Sequence, residues 1–143
     1  MENSFYVSTD KSQLDVDIIF DFLSNQSYWA KGRNRQTIEK SIENSLCFGM
    51  YDSANKQVGF ARVVSDFSIF AWLMDVFILP DYRGNGLGKL LMNEIMIHKD
   101  LQGVKRWGLG TNDAHGLYEK FGFKPLSRPQ NMMEFVIPNP SLP

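Results

Sequence analysis

Val76-Phe77-Ile78-Leu79-Pro80-Asp81-Tyr82-Arg83-Gly84-Asn85-Gly86-Leu87-Gly88-Lys89 passes from an apolar strand through a proline stop and a glycine loop into the start of a helix. Its strand half closes a longer run, Ile69 to Leu79, that is almost unbroken apolar sequence, as expected of a strand covered on both faces. Beyond the loop, Leu87, Leu91 and Ile95, with Leu90 beside them, recur at the spacing of an amphipathic helix that reaches about His98. Glycines at 84, 86 and 88 leave this stretch short of Cβ atoms, so successive N–H groups can converge on an anion at the positive end of the helix. Three such contacts to a charged oxyanion, at ~1.5–3 kcal/mol each, supply ~5–9 kcal/mol gross, enough to anchor a pyrophosphate before entropy is subtracted.

Spacing separates the ligands such a loop can hold. A nucleotide-binding P-loop needs Ser or Thr after Gly-Lys, whereas Leu90 follows Gly88-Lys89. A dinucleotide fingerprint needs its third glycine three positions after the second, where this chain has Lys89 or Leu91 depending on the register. A loop that merely turns the chain remains an open reading.

Outward from the loop, Phe5–Ser8 reads as a strand and Asp15–Leu23 as a helix, with Val16, Ile19, Phe20 and Leu23 on one face. Tyr28 and Trp29 lie in a polar segment before a shorter helix, Thr37–Ile42. Leu46–Tyr51 and Val58–Val64 read as an antiparallel strand pair joined by a turn-rich loop over 52–56. Val104–Leu109 is a further strand, Ala114–Phe121 a short helix and Met132–Ile137 a last strand. No boundary or repeat divides the 143 residues, so one domain over 1–143 is expected.

A net charge of −1 excludes a global attraction for nucleic acid, and no apolar stretch is long enough for a membrane helix. Met1–Ser4 offers no basic start or apolar run of a secretory signal, so a cytoplasmic location is expected. The single cysteine, Cys47, sits in an apolar run and reads as a small hydrophobe.

Arg83-Gly84-Asn85-Gly86-Leu87-Gly88 resembles the central signature of the GNAT superfamily of N-acetyltransferases, which is Arg or Gln, any two, Gly, any, then Gly or Ala. Leu117-Tyr118-Glu119-Lys120-Phe121-Gly122-Phe123 is similar to the family's later Leu-Tyr-x-x-x-Gly-Phe element, and the likeness extends over 46–137. The resemblance implies an α/β fold with a mixed sheet, mostly antiparallel, splayed between two central strands and flanked by about four helices. It implies acetyl-coenzyme A as co-substrate, no metal, and a small-molecule or peptide amine as acceptor, read by the variable first 45 residues. The backbone of Val76, Phe77 and Ile78 would hold the pantetheine arm, and the N–H groups of Gly84, Asn85, Gly86, Leu87, Gly88 and Lys89 the pyrophosphate, with Arg83 and Lys89 adding charge. Where many relatives carry a cofactor-contacting asparagine this chain has Thr111, with Asn112 one position late. Many relatives pair through their last strands, which makes a homodimer one expectation.

Acetyl transfer needs a neutral amine, and deprotonating a lysine-like amine at pH 7 costs ~4.6 kcal/mol against ~1 kcal/mol for an α-amino group. Tyr118 is placed by its motif to donate to the leaving thiolate. Asp75, alone among ionisable residues in its strand, reads as a base or amine anchor or, equally, as an ion-pair partner of Arg62. Tyr28 and Trp29 read as acceptor-pocket walls or as core, and Arg33 and Lys31 as a solvated turn or as contacts for an acidic acceptor. His115 stands near the expected thioester and could assist proton transfer, while His98 has no assigned role. A non-catalytic acyl-coenzyme A sensor is the rival reading, and a longer acyl chain is accommodated equally by the loop.

Overall fold

Apolar runs with aromatic and β-branched residues form Leu46–Tyr51 (β2), Gln57–Ser65 (β3) and Phe70–Ile78 (β4), the antiparallel middle of a five-stranded sheet. The computed structural model describes residues 4–137. Tyr6–Ser8 (β1) joins β2 antiparallel, and Arg106–Gly108 (β5) joins β4 parallel, so the sheet order follows the chain. A parallel pair needs a crossover, and Leu87–Met96 (α3) provides it. Val16–Asp21 (α1), Arg35–Glu43 (α2) and His115–Glu119 (α4) complete the α/β architecture.

The helix starts are set by side chains that satisfy orphan N–H groups. Asp15 accepts from the Ile18 N–H at 3.2 Å and Asn34 from the Thr37 N–H at 2.8 Å. α1 continues into a π-helical turn, Phe22–Gln26, which ends where the Ser27 N–H returns to the Phe22 carbonyl. α3 stops two residues short of the expected His98, which instead caps the next turn by accepting from the Asp100 N–H.

Each sheet face carries its own core. Leu87, Leu91, Met92 and Ile95 of α3 pack with Ala61, Val63, Ala71 and Leu73, while Ile19, Phe22, Leu23, Ile38 and Ile42 pack with Cys47, Phe60 and Phe77. β4 contributes to both because it is bulged. Phe60 pairs with Phe77 but Arg62 pairs with Met74, so β4 carries one more residue than β3 across this step. Asp75, at φ +55°, is the bulge residue. Before it Ala71 and Leu73 face α3; after it Phe77 faces α1 and α2.

β4 and β5 pair only from Phe70 to Trp72, opposite Arg106 to Gly108, and the rest of β4 has no β5 partner. This is the splay that the resemblance implied. Met132–Ile137, expected as a last strand, joins no ladder. Its residues have strand propensity, but Pro125 and the Pro129–Asn131 turn carry the chain away from the sheet, leaving Met133 95% and Phe135 90% exposed.

Candidate active site

The parting of β4 from β5 opens a cavity of about 460 Å³. Trp72 to Val76 form one wall, Leu109 to Ala114 and Tyr118 another, and Tyr28, Trp29 and Arg33 a third. The two aromatics of the inter-helix segment therefore lie at the cavity, where Tyr28 and Trp29 meet edge to face at 5.0 Å. The Tyr28 hydroxyl accepts from the Asn112 N–H at 2.8 Å, joining segments 84 positions apart.

Where the cofactor cradle was expected, Gly84 (φ +83°) and Gly86 (φ +77°) adopt left-handed backbone with nothing within 4 Å of where a Cβ would stand. Gly86 is the N-cap of α3 and supplies no side chain, so the helix starts with uncapped N–H groups beside open space. Gly88 packs near Leu117 of α4, and Asn85 donates to the Tyr82 carbonyl at 3.3 Å. Leu87 is a buried core residue and Lys89 is exposed. The geometry fits a diphosphate. Arg83 is exposed, with its Nε donating to the Ile78 carbonyl at 2.9 Å and its guanidinium over the Phe22 ring. Val76 lines the cavity, whereas the Phe77 side chain stacks on Phe22 in the core at 4.1 Å. The Thr111 hydroxyl accepts from the Ala114 N–H at 3.1 Å and so shapes the entry to α4, and Asn112 is exposed.

Tyr118 is 8% exposed and lines the cavity, and among the described residues its hydroxyl has no hydrogen-bond partner. Burial first, then the charges of Tyr28 and Asp113, push its phenol up to about 12, so it is protonated at neutral pH.

The bulge sends Asp75 to the α1–α2 face, where three donors hold it. Its Oδ1 accepts from Trp29 Nε1 at 2.8 Å, and its Oδ2 from Arg62 Nε at 2.6 Å and Arg33 Nη1 at 3.1 Å. Arg62 also donates to Ser45 at 2.9 Å. Arg62 is the partner that the sequence offered. Arg33 read first as part of a solvated turn, and only the fold shows that it reaches Asp75 while Lys31 stays exposed. Cys47 is buried, and desolvation pushes its thiol up to about 11, away from nucleophile chemistry. His115 is exposed at the start of α4.

The Acetyltransferase (GNAT) domain profile matches residues 43–125. The chain belongs to the GNAT acetyltransferase family. This GNAT chain is 47% identical to a Xanthomonas campestris protein described as belonging to the same family, with a TM-score of 0.91 and 94% of each chain covered. A Gibberella zeae protein provisionally named an acetyltransferase is 30% identical over 81% of the chain and 76% of its own length. The [ribosomal protein bS18]-alanine N-acetyltransferase of Haemophilus influenzae is 37% identical over 54% of each. The GNAT chain thus spans only about half of that relative's length.

Removing the charge of Asp75 leaves two guanidiniums facing each other across a buried site. Asp75→Asn is expected to cost about 3 kcal/mol in urea unfolding, whereas a solvated carboxylate would cost under about 0.5 kcal/mol.

Proposed function

We propose that this chain transfers the acetyl group of acetyl-coenzyme A to a primary amine of a small molecule or peptide. One observation carries the reading: the strand whose Trp72–Val76 stretch walls the cavity of the protonated Tyr118 phenol runs on through Pro80 into two left-handed glycines and an uncapped helix start. The α3 N–H groups suit the diphosphate, and the unpaired stretch of β4 next to Val76 suits the pantetheine amide groups. The amine nitrogen attacks the thioester carbon, the C–N bond forms as the C–S bond breaks, and the proton shed by nitrogen ends on sulfur.

Magnitudes assign Tyr118 its part. Complete proton transfer from a phenol at about 12 to a thiolate whose thiol lies near ~8.5 is uphill by about 5 kcal/mol. Tyr118 therefore acts first as a hydrogen-bond donor to the sulfur as charge grows there. Asp75, with both oxygens engaged, is an anchor for the acceptor-side wall rather than a base. The acceptor loses its proton to solvent, which favours amines of low pKa, and the likeness to an enzyme named for a ribosomal-protein alanine supports a peptide amine among the candidates.

A second copy is the proposed partner of the exposed Met132–Ile137 segment, which presents strand-forming apolar residues that no strand among the described residues pairs.

Tyr118→Phe is expected to lower kcat about 100-fold in a thiol-release assay while coenzyme A affinity holds. In the wild type, kcat/KM should rise with pH along the acceptor's own titration and show no fall below about pH 10, since the phenol keeps its proton there. Gly86→Val should abolish coenzyme A binding by calorimetry and leave a folded protein, because the space beside Gly86 is empty and the φ penalty is only ~1–2 kcal/mol. Light scattering should give a dimer mass for the native chain and a monomer mass for Phe135→Asp; a monomeric native chain would discard the pairing.

A further inference from the structure

The ion cluster at the back of the cavity has a charge imbalance of its own. Asp75, 1% exposed at its side chain, faces two guanidiniums, those of Arg62 and Arg33. One positive charge is left over. Arg62 is spent, with its Nε on Asp75 and its Nη1 on Ser45, and its side chain is 9% exposed. Arg33 is not. Its side chain is 18% exposed and lines the cavity, and among the described residues its guanidinium makes a single hydrogen bond, from Nη1 to Asp75. Four of its five N–H donors have no protein acceptor.

Arg33 is also held from behind. The buried Ser24 hydroxyl donates to its carbonyl, its N–H donates to the Ala30 carbonyl at 3.0 Å, and Gly32, at φ +80°, makes the turn that aims it. A long cation fixed by its backbone and by one carboxylate, with most of its fork unused, has lost its side-chain freedom before any ligand arrives. The other cavity carboxylate, Asp113, is exposed on the wall formed by 109–114, which the Tyr28–Asn112 bond ties to the Arg33 segment, and among the described residues it makes no ion pair with Arg33. A bare ammonium approaching the Arg33 end would meet the surplus positive charge; an amine that brings its own anion would cancel it.

We propose that Arg33 is a specificity-determining residue which reads an oxyanion on the acceptor, so that the preferred substrates are amines bearing a carboxylate or phosphate group. The inference rests on the acetyl-transfer reading above and narrows its acceptor. The planar fork suits two oxygens of one carboxylate or phosphate. Trp29 and Tyr28 supply the apolar wall for the carbon skeleton between the two charged ends.

The test is thiol release from saturating acetyl-coenzyme A by the full chain, with matched pairs of acceptors. Aminocarboxylic acids and aminoalkyl phosphates of increasing length are each compared with the uncharged amine of the same skeleton. The anionic member should lead its neutral partner in kcat/KM by about 100-fold, and the better of the two anionic series identifies the group. In Arg33→Gln the ratio should collapse toward one through a rise in KM for the anionic member, and Arg33→Lys should restore part of it. Coenzyme A titration of each variant reports its folding, and the wild-type pairs alone already decide the preference. Equal turnover of neutral and anionic partners, or a ratio unmoved in Arg33→Gln, overturns the inference and leaves acetyl transfer standing. Binding of coenzyme A without thiol release for any amine overturns both.

Discussion

One inserted residue in β4 governs the functional half of the molecule. Because Phe60 to Arg62 is matched by Met74 to Phe77, the strand changes phase at Asp75, and a carboxylate that would follow Leu73 toward α3 is turned to the opposite face. Left-handed backbone at a non-glycine residue costs about 1–2 kcal/mol. It persists because Trp29, Arg33 and Arg62 all hold the displaced side chain. β4 loses its β5 partner after Trp72, three residues before the bulge, so Asp75 lies on the stretch of strand that walls the cavity.

Two kinds of electrostatics then stand along β4 and the loop that follows it. At the α3 end, peptide dipoles with no capping side chain face open space at Gly84 and Gly86. At the other end, charged side chains are tied into a network with both carboxylate oxygens filled. Tyr118 lines the cavity in an environment that disfavours phenolate, which keeps its hydroxyl proton in place at neutral pH.

Locally determined features were legible in the chain. The strand, glycine loop and helix around Arg83–Gly88 follow from residue types within a few positions of one another. Tyr118 was found through its motif and did land in the cavity. Non-local features were hidden. Nothing in Ile69–Leu79 announces a change of phase, because the bulge exists only relative to β3. Arg33 looks like any charged turn residue until Asp75, 42 positions along the chain, takes its guanidinium. Met132–Ile137 has the composition of a strand, yet pairing depends on a neighbour rather than on propensity, and its own sheet offers none.

The bond between Tyr28 and the Asn112 amide is a latch between the variable front of the chain and the motif-bearing rear. A neutral hydrogen bond of this kind is worth only about 1 kcal/mol net, and an exposed side chain swings within nanoseconds. Such a latch is strong enough to define the mouth of the cleft at rest and too weak to delay traffic through it. Substitutions in the front segment can therefore retune what enters without disturbing the apparatus behind.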